Sequence, residues 1–444
     1  MTYVCANCGC RSGKWLGRCP ECSEWGAMLE AREPRRTTDS GPPARPVPWS
    51  ELREEDAVRL PAGIAELDRV LGGGLVRGAA ILIGGEPGVG KSTLVLQASS
   101  AIADGGARVL YVTGEESVAQ LRLRGERLGV RSANLAVLAE TDVEAVLEAA
   151  SGETFAVMVV DSIQALRLAG LPSAAGTVAQ VRECANRLVS FAKTTGTAVV
   201  IVGQVTKDGA LAGPRALEHV VDVVLQFEGD RHHAHRLLRG LKNRFGAADE
   251  LGVFRMDGRG LETVENPSEM FLAERPRGVP GSVVAAAVEG SRTLLVEVQA
   301  LVGEPVQGTP RRTVVGADVQ RTALILAVLQ RRAGLDLASR DVFVNVAGGF
   351  QLLEPAADLA IAVAIASSLA GLSVDPRCVV IGEVGLAGEV RAVARLDGRL
   401  REAAQQGFGC ALAPPTTAAV RDLRVDAVRD VATALQAAFE GAPR

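Results

Sequence analysis

Aromatic residues are scarce. Phe, Trp and Tyr together make up 3% of 444 residues, so the interior has to be built from Ala, Val and Leu. Charge of one sign is also lacking: 48 Lys and Arg stand against 52 Asp and Glu, a net charge of −4. This excludes a chain drawn as a whole to nucleic acid or to an anionic membrane, and confines any polyanion site to a local patch. A long uninterrupted apolar run is missing too. The nearest, about 356–372, contains Asp358 and many small residues and reads as a buried helix rather than a membrane span. The start, Met1-Thr2-Tyr3-Val4-Cys5, has neither the basic end nor the apolar core of a secretory signal. A cytoplasmic protein with no membrane partner is expected. What the chain does have is length and 48% apolar residues, enough for two substantial domains and an appendage.

The appendage is the cysteine block. Cys5-x2-Cys8 and Cys19-x2-Cys22 form two knuckles, with Gly9 and Pro20 supplying the tight turns. Two such knuckles give the tetrahedral sulfur shell of a structural Zn2+, closed to substrate. A unit this small folds on metal binding rather than on apolar burial. Without a secretory signal a disulfide framework is disfavoured. Cys10 reads as a bystander, and Trp15, Lys14 and Arg18 either pack over the zinc or meet a partner. Cys184, Cys378 and Cys410 are scattered in apolar contexts and read as inert core thiols.

The most informative segment is Gly85-Glu86-Pro87-Gly88-Val89-Gly90-Lys91-Ser92, followed by Thr93. It fits G-x-x-x-x-G-K-[ST] and follows an apolar strand at 79–83, the order a phosphate cradle requires. The glycines let backbone N–H groups and the next helix's N-terminus face the phosphates of ATP. Lys91 reaches the β- and γ-phosphates, and Ser92 offers its hydroxyl to Mg2+. The run 156–160 ends in Asp161, a position suited to the Mg2+ shell. The strand 108–112, expected beside the P-loop strand, leads into Glu115 and Glu116. Glu115 is the first choice to orient the attacking water and Glu116 the second; the alternative role for either is to cap the next helix. Gln204, after the strand 198–202, is placed to sense the γ-phosphate. The loops 166–176 and 205–215 read as mobile connections where a polyanion is felt, or simply as solvated turns. His232, His233 and His235 read as turn residues rather than a metal cluster.

Along the chain, residues 1–30 form the cysteine block and 31–58 a Pro-rich, charged linker. From 59 to 265 strand-like and helix-like runs alternate, which means a mostly parallel sheet covered on both faces, with a terminal hairpin at 236–256. From 270 to 444 strands at 283–288, 294–300, 342–346, 378–381, 389–393 and 411–413, with helices at 318–332 and from 355, give an α+β second domain.

The set resembles the RecA-like ATPase core. More narrowly, Lys242-Asn243-Arg244-Phe245-Gly246, Thr113-Gly114-Glu115-Glu116-Ser117 and Gly213-Pro214-Arg215-Ala216-Leu217-Glu218-His219 are similar to signatures of the bacterial RadA (Sms) recombination family. So is the order zinc ribbon, P-loop core, C-terminal domain. Gln204 stands where relatives often carry His. The resemblance implies a ring-forming homo-oligomer, a hexamer, whose ATP hydrolysis is stimulated by single-stranded and branched DNA. It also implies branch migration or unwinding in homologous recombination, beside a RecA-type recombinase. Lys242 and Arg244 are then expected to act on a neighbour's nucleotide across the subunit boundary. Residues 270–444 resemble the Lon proteolytic domain through 349–358 and 382–390, but the serine position falls on Ala356 and the lysine position on Asp397. Neither does that chemistry, and Ser367 and Ser368 lie too far along the helix to substitute. The domain is expected to be an inactive platform, with Arg311, Arg312, Arg321, Arg331 and Arg332 as a DNA-facing surface. An ATP-dependent Lon-like protease and a KaiC-like signalling ATPase are the alternative readings.

Overall fold

The computed structural model describes residues 2–6, 8–31, 48, 58–204, 217–229, 235–305 and 309–440. The 205–215 loop, 213–216 of the family signature, His232, His233 and nearly all of the linker lie outside the described residues. The chain divides into two compact units, Met1–Thr263 and Val264–Arg444.

The first unit opens with a three-stranded antiparallel sheet in which β1 (Thr2–Cys5) lies between β2 (Arg11–Ser12) and β3 (Met28–Ala31). Its core of buried residues is Cys5, Cys19 and Met28, far too little apolar surface to fold on its own. A short pair, β4 (Arg59–Leu60) and β5 (Leu75–Val76), flanks α1 (Ala65–Leu71).

Among the described residues the main sheet of this unit has nine strands. β6 (Ala80–Gly85), β7 (Val109–Thr113), β8 (Leu135–Ala139), β9 (Val157–Asp161), β10 (Ala198–Val202) and β11 (Val223–Glu228) are mutually parallel. β12 (His235–Asn243), β13 (Leu251–Asp257) and β14 (Gly260–Thr263) extend one edge antiparallel. The order is β14-β13-β12-β11-β6-β10-β9-β7-β8. α2 (Lys91–Asp104), α3 (Val118–Arg127), α4 (Val143–Ser151) and α5 (Val178–Thr195) are the crossover helices. Alternate residues of one strand serve opposite faces: Ile81 and Ile83 join the cluster holding Leu94 and Tyr111, while Ala80 and Leu82 join the one holding Val181 and Leu188. Continuous apolar runs are what a doubly covered sheet demands. The mostly parallel core is therefore as expected, but one neighbour is not. β7 does not lie beside β6; β10 and β9 stand between them. β8, apolar throughout but half-exposed, and the short α4 and β14 are further elements that the alternation of runs does not single out.

In the second unit a long hairpin, β15 (Ser282–Glu289) and β16 (Arg292–Gly303), sits at the middle of a mixed sheet. The order is β17 (Arg312–Val315), β18 (Asp341–Val346), β16, β15, β19 (Cys378–Val380), β22 (Cys410–Ala413) and β23 (Arg424–Ala427). The strand expected at 389–393 shrinks to β21 (Val390–Arg391), which pairs with β20 (Glu383–Val384) outside that sheet. Helices α6 (Pro267–Leu272), α7 (Val319–Arg332), α8 (Asp358–Ala370), α9 (Leu396–Gln405) and α10 (Val431–Phe439) complete the unit. Every residue of α8 from Asp358 to Ser367 is buried, so the longest apolar run is a core helix. Among the described residues no helix is long and apolar enough to cross a membrane.

Candidate nucleotide site and metal centre

The nucleotide site forms where β6 ends. A Cβ on Gly85 would lie 2.4 Å from the Phe227 carbonyl, and one on Gly90 would lie 2.5 Å from the Met256 side chain at a φ of +117°. Only glycine fits either place. Lys91 starts α2 and is nearly buried; its Nζ donates to the carbonyls of Gly85 at 2.7 Å and Glu86 at 2.9 Å, folding the loop around itself. Burial draws the Lys91 amine below its ordinary range, with Asp161, Glu115 and Glu86 opposing that shift. Arg236 of β12 grips the loop from behind, its Nε donating to the Val89 carbonyl at 2.9 Å.

A cavity of about 560 Å3 opens in front of this loop. Pro87, Gly88, Gly90, Lys91, Ser92, Thr93, Glu115, Asp161 and Gln204 all line it. Ser92 Oγ donates to Asp161 Oδ1 at 3.1 Å, and Tyr111 Oη donates to Asp161 Oδ2 at 2.7 Å. Tyr111 is wholly buried, and burial followed by the Asp161 charge pushes its phenol well above the usual range. The serine hydroxyl and aspartate carboxylate are the hard oxygen donors that Mg2+ takes while keeping several waters.

Glu115 and Glu116 part company here. Glu115 accepts hydrogen bonds from Ser162 Oγ and, at 3.3 Å, from Gln204 Nε2, both at the cavity. Glu116 instead pairs with Arg124 and does not line the cavity. Neither caps the next helix: Ser117 does so, in a reciprocal capping box with Gln120. Arg124 and Arg127 of α3 and Met256, Asp257 and Gly260 of the β13–β14 hairpin complete the wall. Arg124 Nη1 is buried without a hydrogen-bond partner, a donor that an anionic ligand satisfies. Together with the glycine cradle, this fits a nucleoside triphosphate.

The loop 166–176 is tied to α5 by one side chain. Gln180, buried in α5, accepts from Leu168 N at 2.8 Å and donates Nε2 toward the carbonyls of Leu168, Leu171 and Ser173 at 3.3, 3.1 and 2.9 Å. One side chain fastens most of the segment.

Lys242 and Arg244 sit elsewhere. Asn243 is level with Val223 of β11, and Val223 with Ile81. The motif thus stands at the N-terminal end of β6 while the phosphate loop leaves the other end, roughly 13 Å further along the strand. Lys242 Nζ donates to the carbonyls of Glu218 and Val221 at 2.6 and 2.7 Å, and Arg244 Nη1 lies 3.4 Å from Asp222 Oδ1. Burial, then the Arg244 charge, draws Lys242 below its ordinary range. Neither residue lines the cavity of its own chain.

The sulfur cluster is the second centre. Gly9 N donates to the Cys5 carbonyl at 2.9 Å and Ser23 N to the Cys19 carbonyl at 3.0 Å, closing matched knuckles. Ser23 adopts the left-handed conformation that glycine supplies in the first knuckle. The Sγ atoms of Cys5, Cys8, Cys19 and Cys22 all lie within 4.8 Å of one another, and Cys10 is not in the group. Cys5 and Cys22 are 3.5 Å apart, Cys8 and Cys19 3.4 Å. A tetrahedron of Zn–S bonds near 2.3 Å has edges of about 3.8 Å, so the cluster fits zinc. Trp15 donates Nε1 to the Met28 carbonyl at 3.0 Å, and Arg18 lies 5.9 Å from the Trp25 ring centre.

In the second unit Ala356 is buried and Asp397 exposed. Ser367 Oγ accepts from Gly281 N at 2.8 Å and Ser368 Oγ from Val302 N at 2.9 Å, so both serines hold backbone. Two of the five expected DNA-facing arginines are also committed. Arg321 pairs with buried Asp358, and Arg312 Nη2 donates to the Leu337 carbonyl at 2.6 Å.

Fold and cavity together define a P-loop ATPase of the RecA-like class, preceded by a zinc ribbon and followed by a Lon-like α+β unit. Three families match along the chain: rubredoxin metal binding domain at 3–30, AAA domain at 46–210, and subunit ChlI of Mg-chelatase at 296–417. The DNA repair protein RadA of Halalkalibacterium halodurans is 50% identical, covering 93% of this chain and 92% of its own. The DNA repair protein RadA of Bacillus subtilis is 45% identical, covering 99% and 98%. A crystal structure described as the RadB recombinase is 25% identical, covers 46% of this chain and 100% of its own, and has a TM-score of 0.38. The chain belongs to the RadA family of DNA repair proteins.

Proposed function

We propose that the chain is an ATP-driven motor that works as a ring, a hexamer, on single-stranded and branched DNA. It drives branch migration or unwinding beside a RecA-type recombinase in the cytoplasm. The observation that carries this reading is the separation of Lys242 and Arg244 from their own chain's phosphate loop by the length of β6. A cation placed there meets a γ-phosphate only on a neighbouring subunit, which couples hydrolysis to assembly.

Within one cavity the roles divide by reach. Lys91 and the loop's N–H groups hold the β- and γ-phosphates, Glu115 orients the attacking water, and Gln204, bonded to Glu115, senses the γ-phosphate. Glu116 is held off by Arg124 and acts through it. Ser92 and Asp161 would hold a Mg2+ ion, whose chemistry there would be to neutralise phosphate charge. Residues 1–30, 31–58, 59–265 and 270–444 serve as zinc module, linker, motor and platform. A protease reading has no nucleophile at Ala356, and a signalling ATPase needs no DNA.

The test is ATP turnover with and without single-stranded DNA, alongside a mass measurement with nucleotide present. Turnover that rises with DNA, falls steeply with salt, and comes from a six-subunit mass supports the motor. DNA-indifferent turnover by a monomer sinks it.

A further inference from the structure

Two cysteines 32 positions apart stand at the same level of the second unit's sheet. Cys378 opens β19 and Cys410 opens β22, and the parallel register pairs them directly; it pairs Cys410 in turn with Arg424 of the edge strand β23. Directly paired residues on neighbouring strands point to one face about 4.8 Å apart, within the Cα spacing that disulfides span. The row therefore sets two thiols and a guanidinium side by side. The Sγ atoms touch at 2.7 Å, and Arg424 Nη2 lies 3.7 Å from Cys410 Sγ. Asp426 accepts from that thiol at 3.7 Å and pairs with Arg424 at 2.9 Å. Both cysteines are buried, while the Arg424 side chain beside Cys410 is 72% exposed. The pair lies in a different unit from the four-sulfur cluster.

We propose that Cys378 and Cys410 are a redox-active dithiol that closes to an intramolecular disulfide when a peroxide oxidises Cys410. Cys410 is the attacking sulfur. The guanidinium of Arg424 stands beside this sulfur; the contact with Cys378 draws the Cys410 thiol down, with Arg424 helping and burial and Asp426 opposing, while the same contact, then burial, pushes Cys378 up. The Cys410 thiolate attacks one oxygen of H2O2, the O–O bond breaks, and hydroxide leaves; Cys410 becomes a sulfenic acid. The Cys378 sulfur then attacks the Cys410 sulfur, the S–S bond forms, the S–O bond breaks, and the Cys378 proton leaves with the departing hydroxide as water. Two thiols and one H2O2 give one disulfide and two waters.

The experiment is non-reducing peptide mapping of the full, zinc-loaded chain after stoichiometric H2O2. The expected product is a Cys378–Cys410 linked peptide, lighter by about 2 Da, reversed by dithiothreitol and formed before zinc is released. In Cys378→Ser, Cys410 stops at a sulfenic acid that dimedone traps; in Cys410→Ser, Cys378 stays unmodified. Arg424→Gln slows formation of the linked peptide by about tenfold. A linked peptide that never forms at peroxide levels already releasing zinc, or dimedone trapped on Cys378, overturns the proposal.

Discussion

In the first unit Lys91, Ser92, Glu115, Asp161 and Gln204 arrive from the ends of different strands and meet across an open cavity, where Arg124 Nη1 still lacks an acceptor. In the second unit charged and hydroxyl groups come as close together but satisfy one another. Arg399 is buried and makes a two-pronged pair with Glu354 at 2.7 and 2.6 Å. Arg321 and Asp358 pair likewise, and Ser367 and Ser368 hold strand backbone. A buried polar group with its partners inside the same unit is part of the scaffold. Groups that converge on a cavity with capacity to spare are placed for a ligand. The second unit retains a protease-like framework in which these buried groups are spent on one another, while Arg275, Arg277 and Arg377 line a separate cavity of about 590 Å3.

That contrast can be broken in graded steps. Lys91→Ala removes the lysine at the head of the phosphate loop, and ATP turnover measured by phosphate release is expected to fall by at least ~100-fold, with the fold intact by circular dichroism. A variant that retains normal turnover contradicts the assignment of the loop. Arg399→Ala acts on the other side of the comparison. It strands the Glu354 carboxylate and is expected to cost about 3–5 kcal/mol of second-unit stability, read as early unfolding of that unit by calorimetry, while nucleotide binding survives. Loss of nucleotide binding without loss of stability would mean that the pair is functional rather than structural. Tyr111→Phe is the mildest. It deletes one hydrogen bond to Asp161 and is expected to weaken Mg2+-dependent nucleotide binding by about tenfold, a cost of ~1.5 kcal/mol. An unchanged Mg2+ requirement would show that Asp161 does not depend on that hydroxyl.

The same contrast explains what could be read from the sequence. The phosphate loop was legible because its chemistry is contiguous: three glycines, the lysine and the serine fall within eight successive positions after an apolar strand. The cysteine knuckles were legible for the same reason. Tyr111 was not, because in an apolar strand it reads as core, and its partner lies 50 residues away. Arg236 was missed likewise; the carbonyl it holds is 147 residues distant. Gln180 looked like any polar residue in an amphipathic helix, so the loop it fastens looked free. Periodicity identifies strands but not their order, which is why β7 was expected beside β6. Cys378 and Cys410 looked unrelated because the parallel crossover that aligns them leaves no mark in either segment.

Lys242 and Arg244 are proposed to serve a neighbour's nucleotide. The most direct measurement mixes two inactive variants, Lys91→Ala and Lys242→Ala, and reads DNA-stimulated ATP turnover. Random assembly places an intact loop opposite an intact Lys242 at about one quarter of subunit boundaries, so the mixture is predicted to recover roughly that fraction of the wild-type rate. A mixture no more active than its components, with mixed rings confirmed by mass, would contradict action across the boundary.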